Sequence, residues 1–196
     1  MTKREKHVWA SLESELNKTF DSSTAESVLR TAKNQHAQWM IMTKETSRSR
    51  LKMIREGILP RVAVYGALKE RCLLADEFMD RYVREVAGPM MHGMYAKAEK
   101  IPGFWTLFTG VFKRVTDKSD YWICESRKDG DRFYLDIHKC LWNDICAEVS
   151  YPECCRFFCE CDNYTYGGLK KIGFSRTQTL GTGGEKCDFV MYRKRR

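Results

Sequence analysis

No Cys-x-x-Cys pair occurs anywhere in the 196 residues, although nine cysteines are present. That removes the usual zinc knuckle and the thioredoxin-like redox motif together. The thiol count is odd, so full disulfide pairing is excluded, and in a reducing compartment the cysteines stay thiols. No apolar run approaches the roughly 20 residues that a membrane span needs. The most apolar stretch, "IPGFWTLFTGVF", is shorter and carries Pro and Gly, so it reads as core or pocket lining. The first residues, "MTKREKHVWASLESEL", bring charge without a following apolar region, so nothing there marks a secretory signal. Asn17-Lys-Thr and Asn163-Tyr-Thr fit the glycosylation pattern but carry no meaning without secretion. Internal repeats and low-complexity tracts are absent. The expectation is a cytoplasmic globular protein with no membrane partner.

Hydrophobic residues make up 43% of the chain and aromatics 12%, enough for a substantial core. The net charge of +8 is uneven: residues 1–118 carry 21 Lys+Arg against 14 Asp+Glu, and residues 119–196 carry 13 against 12. The closing Arg193-Lys-Arg-Arg could be a nucleic-acid patch. No aromatic or Gly-rich pattern accompanies it, so it reads as a solvated tail and no nucleic-acid partner is expected. A basic field favours an anionic small molecule instead.

Residues 1–118 read as a helical part. Ser23-Thr-Ala-Glu26 is a capping box ahead of a run without Gly or Pro. Another helix is expected from Pro60, with Val64, Tyr65, Leu68, Cys72, Ala75, Met79, Tyr82 and Val86 at helical spacing, until Gly88-Pro89 stops it. A shorter one covers about 90–100. Residues 119–196 change period. "DYWICES" and "RFYLDIHKC" flank an Asp-Gly turn, and "IGFSRTQTL" and "KCDFVMYRK" flank "GTGGE", so two hairpins are expected with helices near 141–149 and 151–166 between them. The class is α+β: the helical part packs on an antiparallel sheet, the two parts together forming one compact unit.

Four cysteines crowd into "YPECCRFFCECDNY" at 151–164. Ser150-Tyr-Pro-Glu153 reads as a second capping box, and Gly167-Gly168 ends the helix it starts. On that helix Cys154, Phe157 and Cys161 share an apolar side and fit small core residues. Cys155, Cys159 and Asp162 share another side, where an Asp beside two thiols needs a partner or a job. On the strand "LDIHKC" alternation points Asp136, His138 and Cys140 to one face. These are the parts of an activated thiol, yet neighbours two apart on a strand project side by side and rarely reach bridging geometry.

Cys140, Pro152-Glu153, Phe158-Cys159-x-x-Asp162, Arg176 with Thr177 and Thr179, and Gly184-x-x-Cys187-Asp188-Phe189 follow one another over residues 140–189. In that order and spacing the segment resembles the L-2-amino-thiazoline-4-carboxylic acid hydrolase family. "ILPRVAVYGALKE" and "KIPGFWTLF" are similar to its N-terminal part. The resemblance implies opening of a small cyclic amidine or thiazoline-type ring at its C=N carbon, by water or a thiol, to a carbamoyl-cysteine product. It makes Cys159, Asp162, Cys187 and Asp188 the catalytic candidates, with Cys159 the first choice as nucleophile. Arg176, Cys140, Thr179 and His138 are the substrate-binding candidates, Arg176 for a substrate carboxylate or as a partner of Asp162 or Asp188. No cofactor is expected. The alternative is an open zinc site on Cys140, Cys159 and Cys187, against which no histidine stands in a matched position. The Gly-x-x-Cys-Asp-Phe ending also resembles 4-vinyl reductase-type sensor domains, so a non-catalytic small-molecule-binding module is the rival reading.

Overall fold

The computed structural model describes residues 1–195; Arg196, the last of the basic C-terminal run, lies outside them. The class is α+β, as expected: helices fill the chain up to Lys118, and the described residues hold no strand before Trp122. By packing the chain forms two compact units. One unit comprises Met1–Tyr82 with Ile145–Cys154, the other Val83–Asp144 with the chain from Cys155 onward.

In the first unit α1 (Lys3–Thr19) is capped by Thr2, whose hydroxyl accepts from the Glu5 amide. α2 (Ser22–Met42) starts one residue before the expected box, because the Asp21 carboxylate accepts from the Thr24 amide at 3.1 Å and takes the N-cap role from Ser23. The helix through Pro60 begins earlier still. α3 (Arg48–Met53) passes through a π turn, Ile54–Ile58, into α4 (Leu59–Lys69). The Leu59 amide bonds the Ile54 carbonyl five residues back, and Pro60, lacking an N–H, falls in the first turn of the new segment. The run then breaks at Cys72, which stands at φ 53°, before α5 (Ala75–Tyr82). At Gly66 an added Cβ would lie 2.8 Å from the Tyr151 ring, so only glycine lets Tyr151 seat edge-on to Tyr65.

Ser150 does not cap a helix. It stands at φ 68° just after α8 (Leu141–Glu148), where its amide bonds the Ala147 carbonyl and the Tyr151 amide bonds that of Cys146. This is a left-handed C-terminal closure, in the position glycine usually fills. Pro152–Cys154 follow as a 3₁₀ turn.

In the second unit a π turn, Val83–Ala87, leads into α6 (Gly88–Ala98), so Gly88-Pro89 opens a helix rather than stopping one. Gly103, at φ 69°, starts α7 (Phe104–Lys118). Inside α7 sits Gly110, where an added Cβ would meet nothing. An interior glycine costs a helix about 1 kcal/mol relative to alanine, and here neither packing nor φ requires one. The strands β1 (Trp122–Asp129), β2 (Arg132–Cys140), β3 (Ile172–Ser175) and β4 (Cys187–Arg193) form one antiparallel sheet in the order β1-β2-β4-β3. Phe133, Leu135, Phe189 and Met191 turn to a core shared with Phe104 and Phe108 of α7 and with Tyr166 of α9 (Cys155–Tyr166). Each such buried side chain contributes about 1.5–3 kcal/mol. The alternate residues, Tyr134, Asp136 and Asp188 among them, lie half-buried on the opposite face.

One irregularity changes the expected face assignment. β1 pairs Ile123 with Lys139 but Cys124 with Ile137, so His138 is an unpaired bulge. Past a bulge the alternation slips by one, and every later side chain changes face. Cys140 therefore joins the core side, whereas His138 stays exposed on the other. The Asp136–His138–Cys140 face does not exist.

Candidate active site

Three segments of the second unit meet at the core-side end of the sheet where β4 begins. Cys187 pairs with Ile137 and points inward. Its sulfur accepts the Leu180 amide at 3.3 Å, which ties the 176–186 loop over the sheet. Cys140 comes from the end of β2 and caps α8, its sulfur receiving the amides of Trp142 and Asn143. α9 brings Cys155, Cys159 and Asp162 as the helical spacing requires.

The closest approach is at Gly181. A Cβ there would lie 2.8 Å from the Cys159 sulfur, 3.0 Å from that of Cys155 and 3.1 Å from the Cys155 carbonyl carbon. The last atom is backbone and cannot step aside. Gly181→Ala is expected to destabilise by about 1–3 kcal/mol through overpacking, read as a fall in the denaturant midpoint.

The thiols of Cys140, Cys159 and Cys187 are held in the neutral form. The Cys155 thiol beside it, then burial, raise Cys159 far above the usual range, against a lowering by the Thr179 hydroxyl. Burial pushes Cys140 up to about 12 and Cys187 up to about 11, although backbone amides pull both the other way. At each of the three thiols burial and the neighbouring thiols outweigh the groups that favour a thiolate.

Asp162 is different. Burial pushes its carboxyl up to about 7, with Glu160 adding to the rise and Arg176 opposing it. The Arg176 Nη1 donates to Asp162 Oδ2 at 3.3 Å, and its Nη2 lies 3.8 Å from Glu160 Oε2. The guanidinium also sits 5.7 and 5.8 Å from the ring centres of Phe174 and Phe189, and only 10% of the side chain is exposed. Two carboxylates and two ring faces fix its place. Glu160 was not among the residues singled out from sequence, because its helical position groups it with the polar Asn163, to which it is also bonded.

Asp188 faces the other side of the sheet. Burial raises its carboxyl, but the Thr177 hydroxyl and the amides of Thr177 and Gln178 outweigh that and hold it below the usual range. It anchors the loop that carries Arg176 and Thr179. Of the residues proposed from sequence, the fold thus gathers Cys159, Asp162, Cys187, Arg176, Thr179 and Cys140, and places Asp188 and His138 elsewhere. Cys154 is fully buried in the first unit, and Cys161 is partly buried beside Thr165. Among the described residues no group of three or more His, Cys, Asp or Glu side chains is disposed to hold a metal ion, and Cys140, Cys159 and Cys187 do not make one.

The gathered residues fall within a longer match: the family model of L-2-amino-thiazoline-4-carboxylic acid hydrolase covers residues 51–191. The chain belongs to that family. Membership supports a hydrolase in the broad sense. No curated protein matches the chain. Among solved structures, an H-NOX protein from S. oneidensis in its Fe(II)NO ligation state aligns with a TM-score of 0.35 and 8% identity, over 92% of this chain and 98% of that one. No helix among the described residues is long and apolar enough to cross a membrane.

Proposed function

We propose that the chain opens a small cyclic amidine of the 2-amino-thiazoline-4-carboxylate type, with Asp162 as the acid–base group and Arg176 as the carboxylate-binding cation. The observation that carries this is the Asp162 carboxyl, raised to about 7 beside a nearly buried arginine, both within the segment that the family model matches. A carboxyl near neutrality can take a proton and return it at the working pH. Asp162 receives a proton from the attacking water as the oxygen adds to the carbon between nitrogen and sulfur. It then passes a proton to the ring nitrogen as the ring C–N bond breaks, leaving a carbamoyl-cysteine. The guanidinium fork of Arg176 suits the anionic carboxylate of such a substrate. The raised thiols argue against covalent attack, so Cys159 and Cys187 serve as a neutral wall.

The test is incubation of the purified protein with thiazolines, thiohydantoins and related cyclic amidines, with mass detection of the hydrated product. Binding without turnover across that panel favours the sensor or carrier reading. On the active substrate, Cys159→Ser is expected to keep kcat within about tenfold, since the water route needs no thiolate. Complete loss in a folded Cys159→Ser protein would restore the covalent route.

A further inference from the structure

A cleft of about 620 Å³ opens at the opposite end of the sheet, lined by Lys171, Arg193, Lys194 and Arg195 with one carboxylate, Asp131. Cys187 begins β4 and Arg193 ends it, so roughly 3.3 Å per residue puts cleft and candidate active site about 20 Å apart. Arg193 and Arg195 converge on Asp131 at 3.8 and 3.2 Å, and the Lys194 ammonium donates to the Leu169 carbonyl at 2.7 Å. The Lys171 ammonium has no partner among the described residues, although Glu99 pins its backbone. Four cations against one anion leave a strong positive excess.

A second, apolar groove of about 500 Å³ shares Gly103 and Thr106 with this cleft and continues along α7 past Leu107, Gly110 and Val111 to Arg114. Leu107 and Val111 are 47% and 53% exposed. An exposed apolar strip of this kind signals an interaction surface. Gly110, which neither packing nor backbone angle requires, leaves the strip without a side chain at its middle.

We propose that cleft and groove together bind a single-chain anionic amphiphile, its phosphate head among the cations and its hydrocarbon chain along α7. The arginine forks and the excess of positive charge favour a phosphate monoester dianion over a single carboxylate. The reading is independent of the hydrolase proposal.

Calorimetric titration of the full chain tests it with dodecyl phosphate below its micelle threshold, inorganic phosphate, and the uncharged dodecyl maltoside. Dodecyl phosphate is expected to bind more tightly than inorganic phosphate by about tenfold or more, because the chain buries apolar surface. The maltoside should not bind. Gly110→Leu fills the groove and favours helix, so Tm should rise while the advantage of the alkyl chain disappears and phosphate binding persists. Joint Lys171→Gln and Arg193→Gln should weaken both anions. No binding of either anion, equal binding of both, or indifference to Gly110→Leu would overturn the proposal. Recruitment to anionic phospholipid vesicles without binding of the dispersed monomer would also overturn it, making the face a membrane contact.

Discussion

Asp162→Asn is expected to lower kcat by about 10²–10⁴-fold and, at pH 8, to make the protein more stable. The first effect is loss of the proton carrier. The second follows from the sign of the Asp162 shift. Its folded-state carboxyl titrates near 7 and its unfolded one near 3.8, so the folded state holds the proton more tightly. Below the unfolded value both states are protonated and nothing is lost. Between about 3.8 and 7 the unfolded chain gives up this proton while the folded one keeps it, so stability falls across that window. The loss is complete once pH has risen through 7, where the folded protein carries a carboxylate that burial disfavours. Asparagine removes that titration. Some 31% of the Asp162 side chain still meets water, so the full shift overstates the cost. A gain of about 1–2 kcal/mol at pH 8 is the discounted expectation. Melting curves should separate the two proteins at pH 8 and bring them together near pH 4. A variant that is inactive but no more stable at pH 8 would show that Asp162 is not held in an unfavourable ionisation state. Higher stability without activity is the behaviour of a residue kept for chemistry at the expense of the fold.

What the sequence made legible depended on whether the signal was local. The change from helical to alternating period near residue 119 is local, and the first hairpin turns where Asp129-Gly130 puts it. The second pair also forms, but its first strand ends at Ser175 rather than running to Leu180, and residues 176–186 are a long loop. The sharing of one helix side by Cys155, Cys159 and Asp162 is local too, since three- and four-residue spacing settles it. Cys140 was a different matter. Its face depends on a bulge at His138, and a bulge is a property of the pairing between β1 and β2, not of either strand alone. Ser150 shows ambiguity of another kind. Serine ahead of Pro-Glu suits a cap that begins a helix, yet the same residue closes α8 in a left-handed conformation, and only the carbonyls of Cys146 and Ala147 decide which. The compact units likewise escape composition, because the segment 145–154 joins residues that lie far back in the chain.

Arg176→Gln is expected to cut kcat/KM for a carboxylate-bearing substrate by about 10²–10³-fold, a loss of one charge-assisted, two-pronged contact and its positioning. That loss alone would not separate substrate binding from support of Asp162, because Arg176 touches Asp162 in the free protein at 3.3 Å. The pH profile separates them. Arg176 is the influence that holds Asp162 down against burial and Glu160, so its removal lets the carboxyl rise above 7. A base that must be ionised then becomes competent only at higher pH, and the acid limb of kcat/KM should move upward. Arg176→Lys keeps the charge without the fork or its seat against Phe174 and Phe189. It should leave the acid limb close to that of the parent while restoring only part of the lost kcat/KM. A substrate analogue lacking the carboxylate supplies the remaining control: it should lose little when Arg176 is replaced at high pH, where Asp162 is ionised in every variant. Loss of activity with an unmoved acid limb would leave Arg176 as a substrate contact and free Asp162 of its influence. An unmoved kcat/KM at high pH would remove Arg176 from substrate binding altogether.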